Sequence, residues 1–181
     1  MLNEYEDHWI TTYSGKKMHY LEPKADEICI EDIAHALALT CRFGGHCKKF
    51  YSVAEHSIRV AEVVEDRFKL RALLHDAHEA YLHDVPRPIK QDMPQYKTIA
   101  DRLQRVILIK FPCNFTDGTD EYEEIKFADN LLLSTEKDFM MTNVKDWAIL
   151  PDPLKPFEPM SWRNAERQFL KRFKKYTGSK K

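Results

Sequence analysis

The 181-residue chain sets 28 lysines and arginines against 29 aspartates and glutamates, so no net field draws nucleic acid or an anionic membrane surface to it. With 43% hydrophobic residues it can bury one sizeable core but is short for two, and five glycines favour helices over a turn-rich β fold. Its longest apolar runs, LLLS and VILI, fall far below a membrane span, and MLNEYEDHW lacks the basic-then-apolar layout of a signal peptide. A single cytoplasmic domain over 1–181 is expected. Cys29, Cys41, Cys47 and Cys113 form no CxxC pair, so neither a zinc ribbon nor a redox motif is indicated, and reduced thiols are expected.

Residues 9–23 alternate loosely around Ser14-Gly15, a pattern open to a short N-terminal β-hairpin. IEDIAHALAL (30–39) places Ile30, Ile33, Ala34 and Leu37 on one helical face, and a loop with Gly44-Gly45 follows. SVAE (52–55) has the form of a capping box, with Ser52 and Glu55 bonding reciprocally, and predicts a helix from 53 to about 66. A second helix over roughly 68–82 ends before HDVPRP, where prolines forbid continuation. A third, about 94–110, carries Tyr96, Ile99, Leu103, Val106 and Ile107 on one face and stops at Pro112. Asp120 and Glu123 are spaced like another capping box, opening a helix to about 137. The proline-rich 145–160 stretch reads as an extended connector. A last helix from Ser161 turns Trp162, Ala165, Phe169 and Phe173 inward, before a basic tail that is expected to fray. The class is all-α.

Three of these helices interrupt an apolar stripe with residues of metal-ligand type. The stripes are Val53, His56, Val60, Val63; Phe68, Ala72, His75, Glu79, Leu82; and Tyr122, Ile125, Asp129, Leu132. A lone histidine on such a face is more often a hydrogen-bonded core residue, and a lone carboxylate is more often solvated. Burying unpaired charge costs several kcal/mol, however, and three coincident interruptions become intelligible if imidazoles and carboxylates share one first-row divalent ion. An antiparallel pairing of the first two of these helices would set His56 and His75 at nearly the same level, with Glu79 one turn further on. His75 and Asp76 diverge by about 100° on a regular helix, so both can flank one site only in the wedge between them. HEAYLH (78–83) is no zincin motif, because its histidines are five apart, and SGKK lacks the earlier glycine of a phosphate-binding loop.

The order of a histidine in AEHS, an adjacent pair in LLHDAHEA and an aspartate in KFADN resembles the HD-domain metal-dependent phosphohydrolase superfamily, most strongly over 41–134. Within it the chain is similar to bacterial 5'-deoxynucleotidases and phage dATP triphosphohydrolases. The matching features are Arg42-Phe43 before the first histidine, Glu79 after the pair, HDVPRPIK with Asp84 and Lys90, and Lys126 three before the last aspartate. The resemblance implies an HD-domain helical bundle of five or more helices, often a homo-oligomer (a dimer or larger). It implies His56, His75, Asp76 and Asp129 as ligands to a divalent metal: manganese, cobalt, zinc or iron, with magnesium left open.

The implied reaction is attack of water on the 5'-phosphoester of a deoxynucleotide, with a mono- or triphosphate as substrate. Glu79 would deprotonate the water, and Asp84 would orient a sugar hydroxyl or protonate the leaving oxygen. Arg42, Lys90 and Lys126 are the expected phosphate contacts, Arg42 best suited to bidentate recognition, with Arg87, Lys48 and Lys49 in reserve for a longer phosphate tail. Phe43 is expected as a wall beside the nucleoside. Phe43 stands where tryptophan is common, and GGHC adds little bulk, so base and sugar selectivity stay open. Two alternatives share the metal core: a regulatory module with reduced turnover, and a hydrolase of signalling or cyclic nucleotides.

Overall fold

The computed structural model describes residues 8–111, 113, 119–147 and 150–178. A two-stranded antiparallel hairpin, β1 (Ile10–Thr11) and β2 (Lys17–Met18), pairs Ile10 with Met18 and Thr11 with Lys17. Gly15, at φ 82°, makes the reversal. Buried Asp32 secures it by accepting from the Ser14 amide (2.6 Å) and hydroxyl (2.8 Å). All other regular structure among the described residues is helical, and the architecture is an all-α bundle.

Helix α1 (Ile30–Leu39) matches its periodicity and packs on α2 (Val53–Val63). At the start of α2 the Ser52 hydroxyl accepts from the Glu55 amide at 3.1 Å. The reciprocal half of the expected capping box is absent, because Glu55 is buried and its carboxylate accepts from Arg59 and from the Met160 amide. That second contact ties the 150–160 connector to the centre of the bundle. Along α2 only Arg59, Glu62 and Val63 are not buried, the pattern of a central helix. Val63 departs from the expected stripe at 40% exposure, since α2 ends there and a 3-10 turn (Asp66–Phe68) follows.

The helix expected over 68–82 is two short ones, α3 (Lys69–Leu73) and α4 (Glu79–Leu82), separated by turns. The cause is tertiary. In a continuous helix the His78 amide would donate to the Leu74 carbonyl. Instead the side-chain amide of Gln104 takes both groups: its Nε2 donates to Leu74 O (2.6 Å), and its Oε1 accepts from His78 N–H (3.1 Å). An inserted side chain of this kind breaks the i→i−4 ladder at a defined place.

After HDVPRP the chain forms a further short helix, α5 (Arg87–Gln91), with Pro88 in the first turn where its missing N–H is not needed. Helix α6 (Pro94–Lys110) supplies Gln104 and buries Ala100, Leu103, Ile107 and Leu108, a face rotated from the expected one. Pro112 lies outside the described residues. Helix α7 (Thr119–Met140) packs on α2 and buries Ile125, Ala128 and Leu132. Tyr122, expected on that stripe, is 61% exposed near the helix start. Asp120 lies within the first turn of α7 and Thr119 precedes it in the helix, so Asp120 does not take the capping position foreseen for it. Helix α8 (Trp162–Tyr176) is capped by Ser161, buries Ala165 and Phe169, and packs on α1, α2 and α3. It stays helical through Tyr176, where fraying was expected, because Phe173 and Tyr176 pack against the core.

Candidate metal centre

His56 projects from the middle of α2, His75 and Asp76 from the turn between α3 and α4, and Asp129 from α7. One ligand atom from each of His56, His75 and Asp129 lies within 4.8 Å of the others. Asp76 stands against this trio, with Oδ2 3.1 Å from His75 Nε2 and 3.9 Å from His56 Nε2. The break in the helix is what lets two consecutive side chains share one site.

The donor set fits a cation. His56 Nδ1 lies 2.7 Å from Glu136 Oε1, and His75 Nδ1 lies 2.7 Å from Ala72 O. Each ring therefore spends one nitrogen on the protein and turns Nε2 to the site, as metal-ligating histidines do. Both Nε2 atoms are buried without a hydrogen-bond partner, although Asp129 Oδ1 lies 3.2 Å from that of His56 and Asp76 Oδ2 lies 3.1 Å from that of His75. Distance is satisfied and direction is not, so neither nitrogen is hydrogen-bonded to the carboxylate beside it. Two imidazoles with carboxylate oxygens suit zinc, manganese, cobalt or iron(II).

Charge in the metal-free site follows from burial and neighbours. Burial alone would lower the pKa of His75, but the Asp76 and Asp129 carboxylates raise it to about 9. For His56 burial and Arg42 push downward, while Glu136 and Asp129 push upward and prevail. Burial works against ionisation of Asp129 and Asp76, and the adjacent histidines overcome it, holding both well below the usual carboxylate range. A cation would have to displace the His75 proton.

Glu79 is buried at the start of α4, and burial together with Asp76 and Asp84 raises its carboxyl to about 8 against the pull of Lys90. Lys90 Nζ lies 2.6 Å from Glu79 Oε1, while Oε2 is buried and unpartnered. Lys126 pairs with Asp129 Oδ2 at 2.9 Å. Arg42 is buried and fastened to Glu136 through Nε (3.1 Å) and a terminal nitrogen (3.0 Å), with its other terminal nitrogen 4.0 Å from Asp76. Each of the three expected phosphate contacts is therefore already engaged by a carboxylate, Lys126 by Asp129, Arg42 by Glu136 and Lys90 by Glu79. Asp84 accepts from the Phe43 amide at 3.1 Å, steadying that residue at φ 58°, and the Phe43 ring lies 6.3 Å from that of Trp147.

Two cavities adjoin these groups. One of about 270 Å³ is bounded by His75, Asp76, Gln104, Tyr122, Lys126 and Asp129. A larger one, about 570 Å³, is bounded by Tyr13, His35, Leu39, Gly44, Tyr81 and Asp84 and by none of the four expected metal ligands. Asp84 is among the residues that bound the larger cavity.

Two residues that matter to the site escaped the sequence reading. Glu136, fully buried on α7, accepts from His56, Arg42 and Tyr51. Extending the Ile125, Asp129, Leu132 stripe by one turn reaches it. Gln104 carried no comparable signal.

No family model matches the sequence. The uncharacterized protein YfdR of Escherichia coli (strain K12) is 38% identical over 143 residues, covering 78% of this chain and 78% of that protein. The chain belongs to the YfdR family. A second relative, an uncharacterized protein of Rhodobacter capsulatus, is 38% identical over 113 residues, 57% of this chain and 58% of its own. Among the described residues no helix is long and apolar enough to cross a membrane.

Proposed function

We propose that the chain is a metal-dependent phosphohydrolase of the HD type that cleaves the 5'-phosphoester of a deoxynucleotide. The observation that carries this reading is the convergence of His56, His75 and Asp129 ligand atoms within 4.8 Å, with Asp76 alongside. The deoxynucleotide rests on the resemblance of Arg42-Phe43 and HDVPRPIK to the nucleotidases. A bound divalent ion supplies Lewis acidity and lowers the pKa of water.

The chain's own groups account for the rest. Glu79, poised near neutrality with one unpartnered oxygen, accepts the proton of the attacking water. Lys90 holds the other Glu79 oxygen and, on substrate binding, exchanges it for phosphate oxygen. Lys126 makes the same exchange at Asp129, and Arg42 reaches phosphate with the nitrogen that Glu136 does not hold. Asp84, already anchoring the Phe43 turn, presents its second oxygen to a sugar hydroxyl or to the leaving oxygen.

The test is a panel of deoxynucleoside mono- and triphosphates, incubated with protein loaded with manganese, cobalt, zinc or iron(II), and analysed for nucleoside and for the phosphate product. Asp76→Ala is expected to lose both metal and turnover, whereas Glu79→Gln keeps metal and loses rate. No nucleoside from any substrate, or equal activity in both variants, would refute the proposal.

A further inference from the structure

Cys41 and Cys47 are six residues apart in a C-x5-C spacing that signals nothing by itself, yet their sulfurs lie 3.5 Å apart. The chain between them curls back because Phe43 (φ 58°), Gly44 (φ 58°) and Gly45 (φ 82°) are all left-handed, and the turn is closed by a hydrogen bond from His46 N–H to Phe43 O. Both ends are held. Cys41 pairs in a β-bridge with Ser52, and the Lys48 amide donates to Met140 O at 2.8 Å. Both cysteines are half-buried free thiols, and Gly44, Gly45, His46 and Lys48 around them are exposed, so a small oxidant reaches them.

We propose that Cys41 and Cys47 form a modification site: a dithiol that hydrogen peroxide converts reversibly to an intramolecular disulfide, closing a ring that contains Arg42 and Phe43. Closure shortens the sulfur separation from 3.5 Å to about 2.0 Å, a change within reach of side-chain rotation in a glycine-bearing loop. In the first step the Cys41 thiolate attacks one peroxide oxygen, the O–O bond breaks, and a sulfenic acid forms as hydroxide leaves and takes a proton. In the second, the Cys47 sulfur attacks that of Cys41, the S–O bond breaks, and water departs with the Cys47 proton. Two electrons pass from the sulfurs to the peroxide, which ends as two waters. Burial and the contact with Cys41 push the Cys47 thiol up to about 11, which suits it to the resolving role. Because Arg42 also holds Glu136 and approaches Asp76, the ring ties the oxidation state of the loop to the candidate metal centre.

The experiment uses the full-length, metal-free protein, reduced and then exposed to stoichiometric hydrogen peroxide, alkylated, and mapped with trypsin. Cleavage after Lys24, Arg42 and Lys48 places the two sulfurs on peptides 25–42 and 43–48, and because Cys29 shares the first of these, fragment-ion sequencing of the joined pair assigns the bonded sulfur. The expected result is loss of two of the four alkylatable thiols, the two peptides joined through Cys41 and Cys47, a chain that runs as a single polypeptide on a denaturing non-reducing gel, and full recovery with dithiothreitol. In Cys47→Ser the Cys41 sulfenic acid should persist long enough for a dimedone adduct to form. A sulfinic acid on one sulfur with the other still alkylatable, a disulfide between chains, or a bond to Cys29 or Cys113 would overturn the proposal. Equal thermal midpoints for the reduced wild-type and Cys47→Ser chains show that the variant is folded.

Discussion

Glu136 Oε1 lies 2.7 Å from Nδ1 of His56, and this one contact decides which imidazole nitrogen faces the site. The same carboxylate neutralises Arg42 and accepts from Tyr51 at 2.8 Å, so a single buried side chain orients a ligand and fixes the neighbouring cation. Glu136→Gln keeps the volume and removes the charge. Metal affinity, followed by calorimetric titration with manganese or zinc, is expected to fall about 10- to 100-fold, in line with loss of other outer partners of metal-bound histidines. Arg42 left without its counter-ion should also cost about 3–5 kcal/mol in urea unfolding. An unchanged affinity in a folded variant would show that His56 is oriented by something else.

Gln104 makes a separable prediction. Its amide holds Leu74 O and His78 N–H apart, and Gln104→Leu frees these two groups to bond each other. The expected outcome is a more continuous α3–α4 helix, seen as a gain in far-ultraviolet helical signal, and at least about tenfold weaker metal binding as His75 and Asp76 diverge. Gln104→Glu retains the acceptor for His78 while losing the donor to Leu74, and should fall between the two.

Metal binding should depend steeply on pH. His75 carries its proton up to about pH 9 in the metal-free chain, and a cation must displace it. Affinity should rise about tenfold per pH unit between pH 6 and 8 for one displaced proton. For stability the sign is opposite. The His75 pKa is raised from its ordinary 6.5, so its contribution to the metal-free fold is complete below pH 6.5 and fades as pH rises through about 9. Thermal midpoints across this range, with and without metal, should diverge as the pH increases.

A cation that binds only the folded chain must also stabilise it. At about 100 times Kd the gain is about 2.7 kcal/mol, or about 5–10 °C in Tm for a domain of this size. His75→Ala should abolish the shift, and a shift surviving that substitution would place the cation elsewhere.

The fold was legible wherever one helix face decided the outcome. Ser52 and Ser161 announced their helices, and α1 and α6 ended where their patterns ended. His56, His75 and Asp129 could be picked out because each stands on an apolar stripe, and the structure brings them together. Two of the failures were set from a distance. The interruption at Leu74–His78 comes from a glutamine 26 residues beyond His78, which no local rule anticipates. The second half of the Ser52 capping box was lost because Glu55 found Arg59 and the Met160 amide, the latter 105 residues away.

The near-complete enclosure of α2 bears on how sequences of this family can drift. With only Arg59, Glu62 and Val63 reaching the outside, eight of its 11 positions have no solvent side on which to absorb a change. Tolerance should therefore concentrate on the outer faces of α6 and α8. A saturation scan of the chain should return α2 as its most intolerant segment, including positions that never approach the cation.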